Sequence, residues 1–206
     1  MTVQKRKRHH FLVLIRRVNS FLLLGTCIVF AVIAVVALRN NNQQMVKLRA
    51  AVFESDKKNG DIEAALRTLR TYVYAHMNTD LSSGANAVKP PIQLKYQYER
   101  LNATNLAVYQ AASAKMLDDA QNICIVQNPG SVFSQARSSC AKAYAAAHPV
   151  PQKSIPEDLY KFDFLSPSWS PDLAGWSLVL SGLFLFLFFV RTLSTWAIKR
   201  ELSSNS

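Results

Sequence analysis

The chain has 206 residues, half of them hydrophobic, and a formal net charge of +11. The positive excess gathers at the chain ends, beside two long apolar runs. It reads as a membrane-topology signal and not as a nucleic-acid footprint.

Residues 1–20 hold Lys5, Arg6, Lys7, Arg8, Arg16 and Arg17 and no acid. This basic cluster is the segment expected to stay in the cytoplasm and to contact anionic lipid headgroups. Residues 21–38, FLLLGTCIVFAVIAVVAL, contain no charge. As a helix they reach roughly 27 Å, close to the thickness of a bilayer's hydrocarbon core. A cleaved signal peptide is the rival reading, with Ala37 before the cut, but the apolar run is longer than a signal peptide needs. Arg16-Arg17 followed by Val-Asn-Ser-Phe is a poor twin-arginine export signal.

The helix is expected to continue outward past Asn42. Met45, Leu48 and Val52 recur at three- and four-residue steps and form one apolar face. Gly60 is the expected stop and Asp61 the expected N-cap of the next helix. There Ile62, Leu66, Leu69, Val73 and His76 form a short heptad seam. Residues 78–91 read as a loop that ends in Pro90-Pro91. A third helical stretch is expected from about Ile92 to Val126, with Leu94, Leu101 and Val108 seven apart and a weak point at residues 102–105. A glycosylation sequon, Asn102-Ala-Thr104, falls inside it. Residues 127–131, QNPGS, are a strong turn, and an alanine-rich fourth helix follows from about Ser134 to Ala147.

Residues 149–172 read as a juxtamembrane linker. Ser154-Ile-Pro156-Glu157 resembles a short capped helical start. Tyr160, Phe162, Phe164 and Trp169 are expected at the outer membrane interface, with packing against the helices as the alternative. Residues 173–190, LAGWSLVLSGLFLFLFFV, form a second uncharged run, and residues 191–206 a short basic tail. Trp169, Trp176 and Trp196 are candidate interface anchors, and Arg191 can snorkel to the inner headgroups. Ser177 and Ser181 give a small-residue spacing that suits close helix packing, within the chain or in a homodimer.

The fold class is therefore an all-α membrane protein. Two transmembrane helices flank an extracytoplasmic antiparallel bundle of about four helices, residues 39–148. Short basic flanks place both termini in the cytoplasm of a plasma (inner) membrane. The middle, residues 39–173, has 15 Lys and Arg against 12 Asp and Glu and translocates. About 135 residues are enough for one core and not for two domains.

Cys124 and Cys140 flank the turn at similar distances from its tip, which makes them the candidate disulfide. Cys27 reads as a packing residue within the first span. No histidine pairs with a nucleophile, and no phosphate loop, G-x-S-x-G or H-E-x-x-H pattern is present. No catalytic residue, cofactor or metal site is expected. The arrangement of residues 20–197 resembles the input half of bacterial chemoreceptors and sensor kinases. The resemblance is of architecture alone, and no output module follows the second run.

The leading expectation is a non-catalytic two-pass scaffold or accessory subunit. Its expected partners are membrane lipids and an envelope or membrane protein, with a homodimer as a further class and nucleic acid excluded. The alternative is a ligand-sensing module that uses Tyr72, Tyr74, Tyr96 and Tyr98.

Overall fold

The computed structural model describes residues 19–81, 88–130 and 134–204. These hold five α-helices, one 3-10 turn and a two-stranded antiparallel ribbon: α1 (Ser20–Lys58), α2 (Ile62–Ala75), β1 (Ile92–Gln93), α3 (Lys95–Gln127), α4 (Gln135–Ala147), the 3-10 turn (Glu157–Leu159), β2 (Lys161–Phe162) and α5 (Leu173–Ser204). The basic cluster Lys5, Arg6, Lys7, Arg8, Arg16 and Arg17 lies outside the described residues, as does part of the loop after α2.

Two helices, α1 and α5, are long and apolar enough to cross a membrane. Only 22% and 17% of their most apolar stretches are buried within the protein. A core helix of a water-soluble domain would be largely covered, so this exposure points to residence in lipid.

The described chain forms two compact units. One comprises residues 19–52, 63–81 and 164–204, and the other residues 53–62 and 88–163. The segments expected to form one bundle, the outer part of α1 with α2, α3 and α4, therefore do not all fall in one compact unit.

In the first unit, α1 carries a single stripe of covered positions from one end to the other. Leu23, Cys27, Ala34, Ala37, Met45 and Val52 are buried at steps that are sums of three and four. Near the bottom of the stripe the two spans meet. The Ser181 hydroxyl donates to the Cys27 carbonyl at 3.3 Å, and Phe30 stacks on Phe184 with ring centroids 5.8 Å apart. Ser177 is buried as well. The small-residue spacing on α5 thus serves packing between the chain's own two helices.

Above that contact α2 runs antiparallel to α1. The Asn41 and Asn42 amides donate to the carbonyls of Met77 and Asn78, just past the end of α2. Counting back from there sets Met45 level with Val73 and Val52 level with Leu66. All four are buried, so the heptad seam of α2 forms its core face.

The turn between these helices differs slightly from expectation. Asn59, with φ 53°, takes the left-handed position, and the Gly60 N–H then reaches the Ser55 carbonyl at 2.9 Å. Asparagine tolerates this conformation better than most residues do, so it ends α1 one residue before the glycine.

The second unit is built on α3, which is continuous through residues 102–105. At this point the Thr104 hydroxyl bonds the Arg100 carbonyl and the Asn105 amide bonds the Lys153 carbonyl, so both polar side chains are satisfied without a break in the helix. Ile92 is extended and starts no helix. It pairs with Phe162 across the β-ribbon, and the Leu94 N–H donates to the Tyr160 carbonyl at 2.8 Å.

The linker is therefore anchored along its length. Tyr160 packs on Tyr98 with centroids 4.9 Å apart, and Phe164 is buried beside Tyr74 and Arg70. Tyr160, Phe162 and Phe164 each find an apolar or aromatic partner within their own unit, which is the packing that the sequence left as the alternative.

Candidate functional site

The turn that joins α3 to α4 is secured three times. Cys124 is bonded to Cys140, with Cα atoms 5.8 Å apart, as their placement about the turn predicts. The Ser134 hydroxyl caps α4 by accepting from the Arg137 N–H at 3.3 Å. The Arg137 guanidinium donates to the carbonyls of Asn128 and Gly130, both at 3.0 Å. Ala120 and Cys124 are the buried residues of α3.

The other faces of α3 are open. Val108 and Val126 are eighteen residues apart. This is five whole turns, so the two share one side of the helix, roughly opposite to that of Cys124. Val108 is 63% exposed, Leu117 51% and Val126 81%. The heptad Leu94, Leu101, Val108 does not continue as a core seam: Leu94 is buried, Leu101 half-buried and Val108 exposed. Beyond the first turns, α3 buries the positions that face α4 and the disulfide.

The start of α3 is held by a residue that the sequence does not single out. Asp56, in the last turn of α1, is 2% exposed. Its carboxylate accepts from the N–H groups of Tyr96 at 3.0 Å and Gln97 at 2.7 Å, and from Arg100 Nη2 at 3.0 Å. Its main-chain carbonyl accepts from Arg100 Nη1 at 3.0 Å. Leu94, at the N-cap position, offers no side-chain bond. Asp56 therefore supplies the cap from about forty residues upstream and places a negative charge at the positive end of the helix dipole.

In the first unit a polar collar surrounds the start of α5. Asp172 accepts from the Gly175 N–H at 2.9 Å and from the Asn41 amide at 2.8 Å. The Met77 N–H donates to the Ser170 hydroxyl at 3.0 Å, and the Asn78 amide to the Leu38 carbonyl. Asp80 accepts from both the N–H and the hydroxyl of Ser166. Thr79, fully buried, donates to carbonyls at the end of α2.

Burial by itself would raise the Asp172 carboxyl. The Gly175 N–H, the Asn41 amide, the Ser170 hydroxyl and nearby His76 together hold it below its ordinary value. Tyr72, stacked on His76 at 4.1 Å, is pushed up by burial and by the charge of Asp172. Each group in the collar serves another as a partner, so the arrangement joins three segments and presents no aligned nucleophile and base.

The remaining expected residues take up local positions. Trp169 meets Trp176 edge to face at 6.0 Å. Arg191 Nη1 donates to the Thr195 hydroxyl at 2.8 Å, and the Arg200 guanidinium lies 5.4 Å from the centre of the Trp196 ring. The four tyrosines have separate partners and belong to different units. Tyr72 meets His76, Tyr74 meets Phe164 and Tyr98 meets Tyr160, while Tyr96 lies beside Lys95. Among the described residues, no three His, Cys, Asp or Glu side chains are grouped so as to hold a metal ion.

No family model, curated protein or solved structure matches this chain.

Proposed function

We propose that the protein is a non-catalytic two-pass membrane scaffold or accessory subunit. The region between its spans lies outside the cytoplasm and binds a protein or envelope component through the α3–α4 hairpin. The observation that carries this reading is the pair of exposed apolar side chains Val108 and Val126 on one side of α3, in a hairpin closed by a disulfide. Apolar surface on a rigid element is the usual substance of a protein interface.

The orientation rests on the basic ends, which favour the cytoplasmic side. The Cys124–Cys140 bond favours an oxidising compartment for the middle. A ligand-sensing role would need its tyrosines to converge, and the scaffold reading is preferred because their partners are separate. Catalysis has no role in the proposal.

The test is photo-crosslinking in cells from single sites in the full chain. A crosslinker at Val108 or Val126 should capture one defined partner, and one at Gln110 or Gln121, on the other side of α3, far less of it. Equal capture at all four sites, or none at any, sinks the proposal.

A further inference from the structure

Where the chain re-enters its basic end, the two spans leave a groove of about 480 Å³ between them. Its walls include Phe21 and Leu24 of α1 and Phe188 of α5, and its polar edge is formed by Arg191, Thr195 and Trp196. The groove opens where facing side chains grow larger. The helices meet through Cys27 and Ser181, whereas one to two turns further on the facing residues are Leu24 and Phe188. Its volume lies within the range of about 300–1,000 Å³ typical of small-molecule sites.

We infer that this groove binds one anionic phospholipid, with an acyl chain along the apolar walls and the phosphate beside Arg191. Depth and charge both select this occupant. Arg191 directly follows the uncharged run of α5, so it stands at the level where hydrocarbon gives way to phosphate. A guanidinium matches the geometry of a phosphate, and the Thr195 hydroxyl holds this one by accepting from Nη1 at 2.8 Å. The indole of Trp196 is a ring suited to the interface, and Arg200 beside it adds a second positive charge. An apolar groove with a cationic rim at headgroup depth complements a lipid that is apolar in its tail and negative at its head. The inference rests on the spans alone and is independent of what the α3–α4 hairpin binds.

The test uses the full chain with Trp169→Phe and Trp176→Phe, which leaves Trp196 as the single indole. The protein is placed in phosphatidylcholine vesicles, and its fluorescence is quenched by brominated phosphatidylglycerol or brominated phosphatidylcholine. Phosphatidylglycerol should be preferred about fivefold, the effect of roughly one basic residue at a membrane surface. Arg191→Gln should bring the ratio to about one, while Arg191→Lys keeps most of it. Native mass spectrometry of the unsubstituted chain should show retained phosphatidylglycerol, lost in Arg191→Gln, so the inference does not depend on the tryptophan background.

A ratio near one in the parent protein overturns it. So does a preference that survives Arg191→Gln but disappears when Lys5, Arg6, Lys7 and Arg8 are changed to Gln, which would assign the effect to the tail. A groove filled by a second copy would show as a dimer with no lipid retained, and that also overturns it.

Discussion

Replacing Asp56 with alanine removes the acceptor for two main-chain N–H groups at the start of α3 and for Arg100. The carboxylate is 2% exposed, so water does not readily take its place. A lost helix cap costs about 1 kcal/mol, and hydrogen bonds to a buried charge contribute about 1.5–3 kcal/mol each. The Arg100 side chain is 33% exposed and can turn back to solvent, so its share is discounted. The expected loss is about 3 kcal/mol. Asp56→Asn keeps one acceptor oxygen and should cost about half as much, and Arg100→Met, which leaves the cap in place, about 1 kcal/mol. The assay is hydrogen exchange of the full chain in micelles, read on peptides that cover Tyr96 and Gln97. At a factor of ten per 1.4 kcal/mol, exchange of these amides should accelerate by roughly two orders of magnitude in Asp56→Ala. The reasoning is refuted if Arg100→Met is as damaging as Asp56→Ala, or if the first turn of α3 exchanges at an unchanged rate.

Three further outcomes are expected. A Cβ on Gly175 would lie 1.9 Å from the Ser170 carbonyl oxygen, a main-chain atom that cannot swing aside. Gly175→Ala should therefore displace the segment before α5 at a cost of about 1–3 kcal/mol, seen as lower thermal stability and altered Trp169 and Trp176 fluorescence. The Asp172 carboxyl is held below its ordinary value of 3.8, so its contribution to stability is present above that pH and is lost as the pH falls through the lower, folded value. Acid unfolding curves should show this component in the parent and lack it in Asp172→Asn. Cys124→Ser with Cys140→Ser opens a loop of 16 residues, which in the chain-entropy model costs about 3 kcal/mol. Adding reductant to the parent should produce the same shift, and adding it to the double variant should produce none.

The sequence alone determined what depends on local pattern. Two uncharged runs long enough to cross a bilayer mark α1 and α5, because length and the absence of charge are all that a span requires. The seam Leu66, Leu69, Val73 is visible because a helix repeats its faces every three or four residues. The disulfide is legible because Cys124 and Cys140 flank a turn that proline and glycine make certain. Tertiary structure decided what depends on residues far apart in the chain. Asp56 looks like an ordinary helix-end acid until α3 brings its first N–H groups to it. Asn41 and Asp172, 131 residues apart, look like surface groups until the two spans set them level. Residues Lys161–Phe162 are too few to show a strand pattern, and they become a strand because Ile92 offers an edge. Periodicity records which side of a helix is apolar, but not which partner covers it. The exposed side of α3 follows from where α4 packs, and a pattern read along one segment does not contain that information.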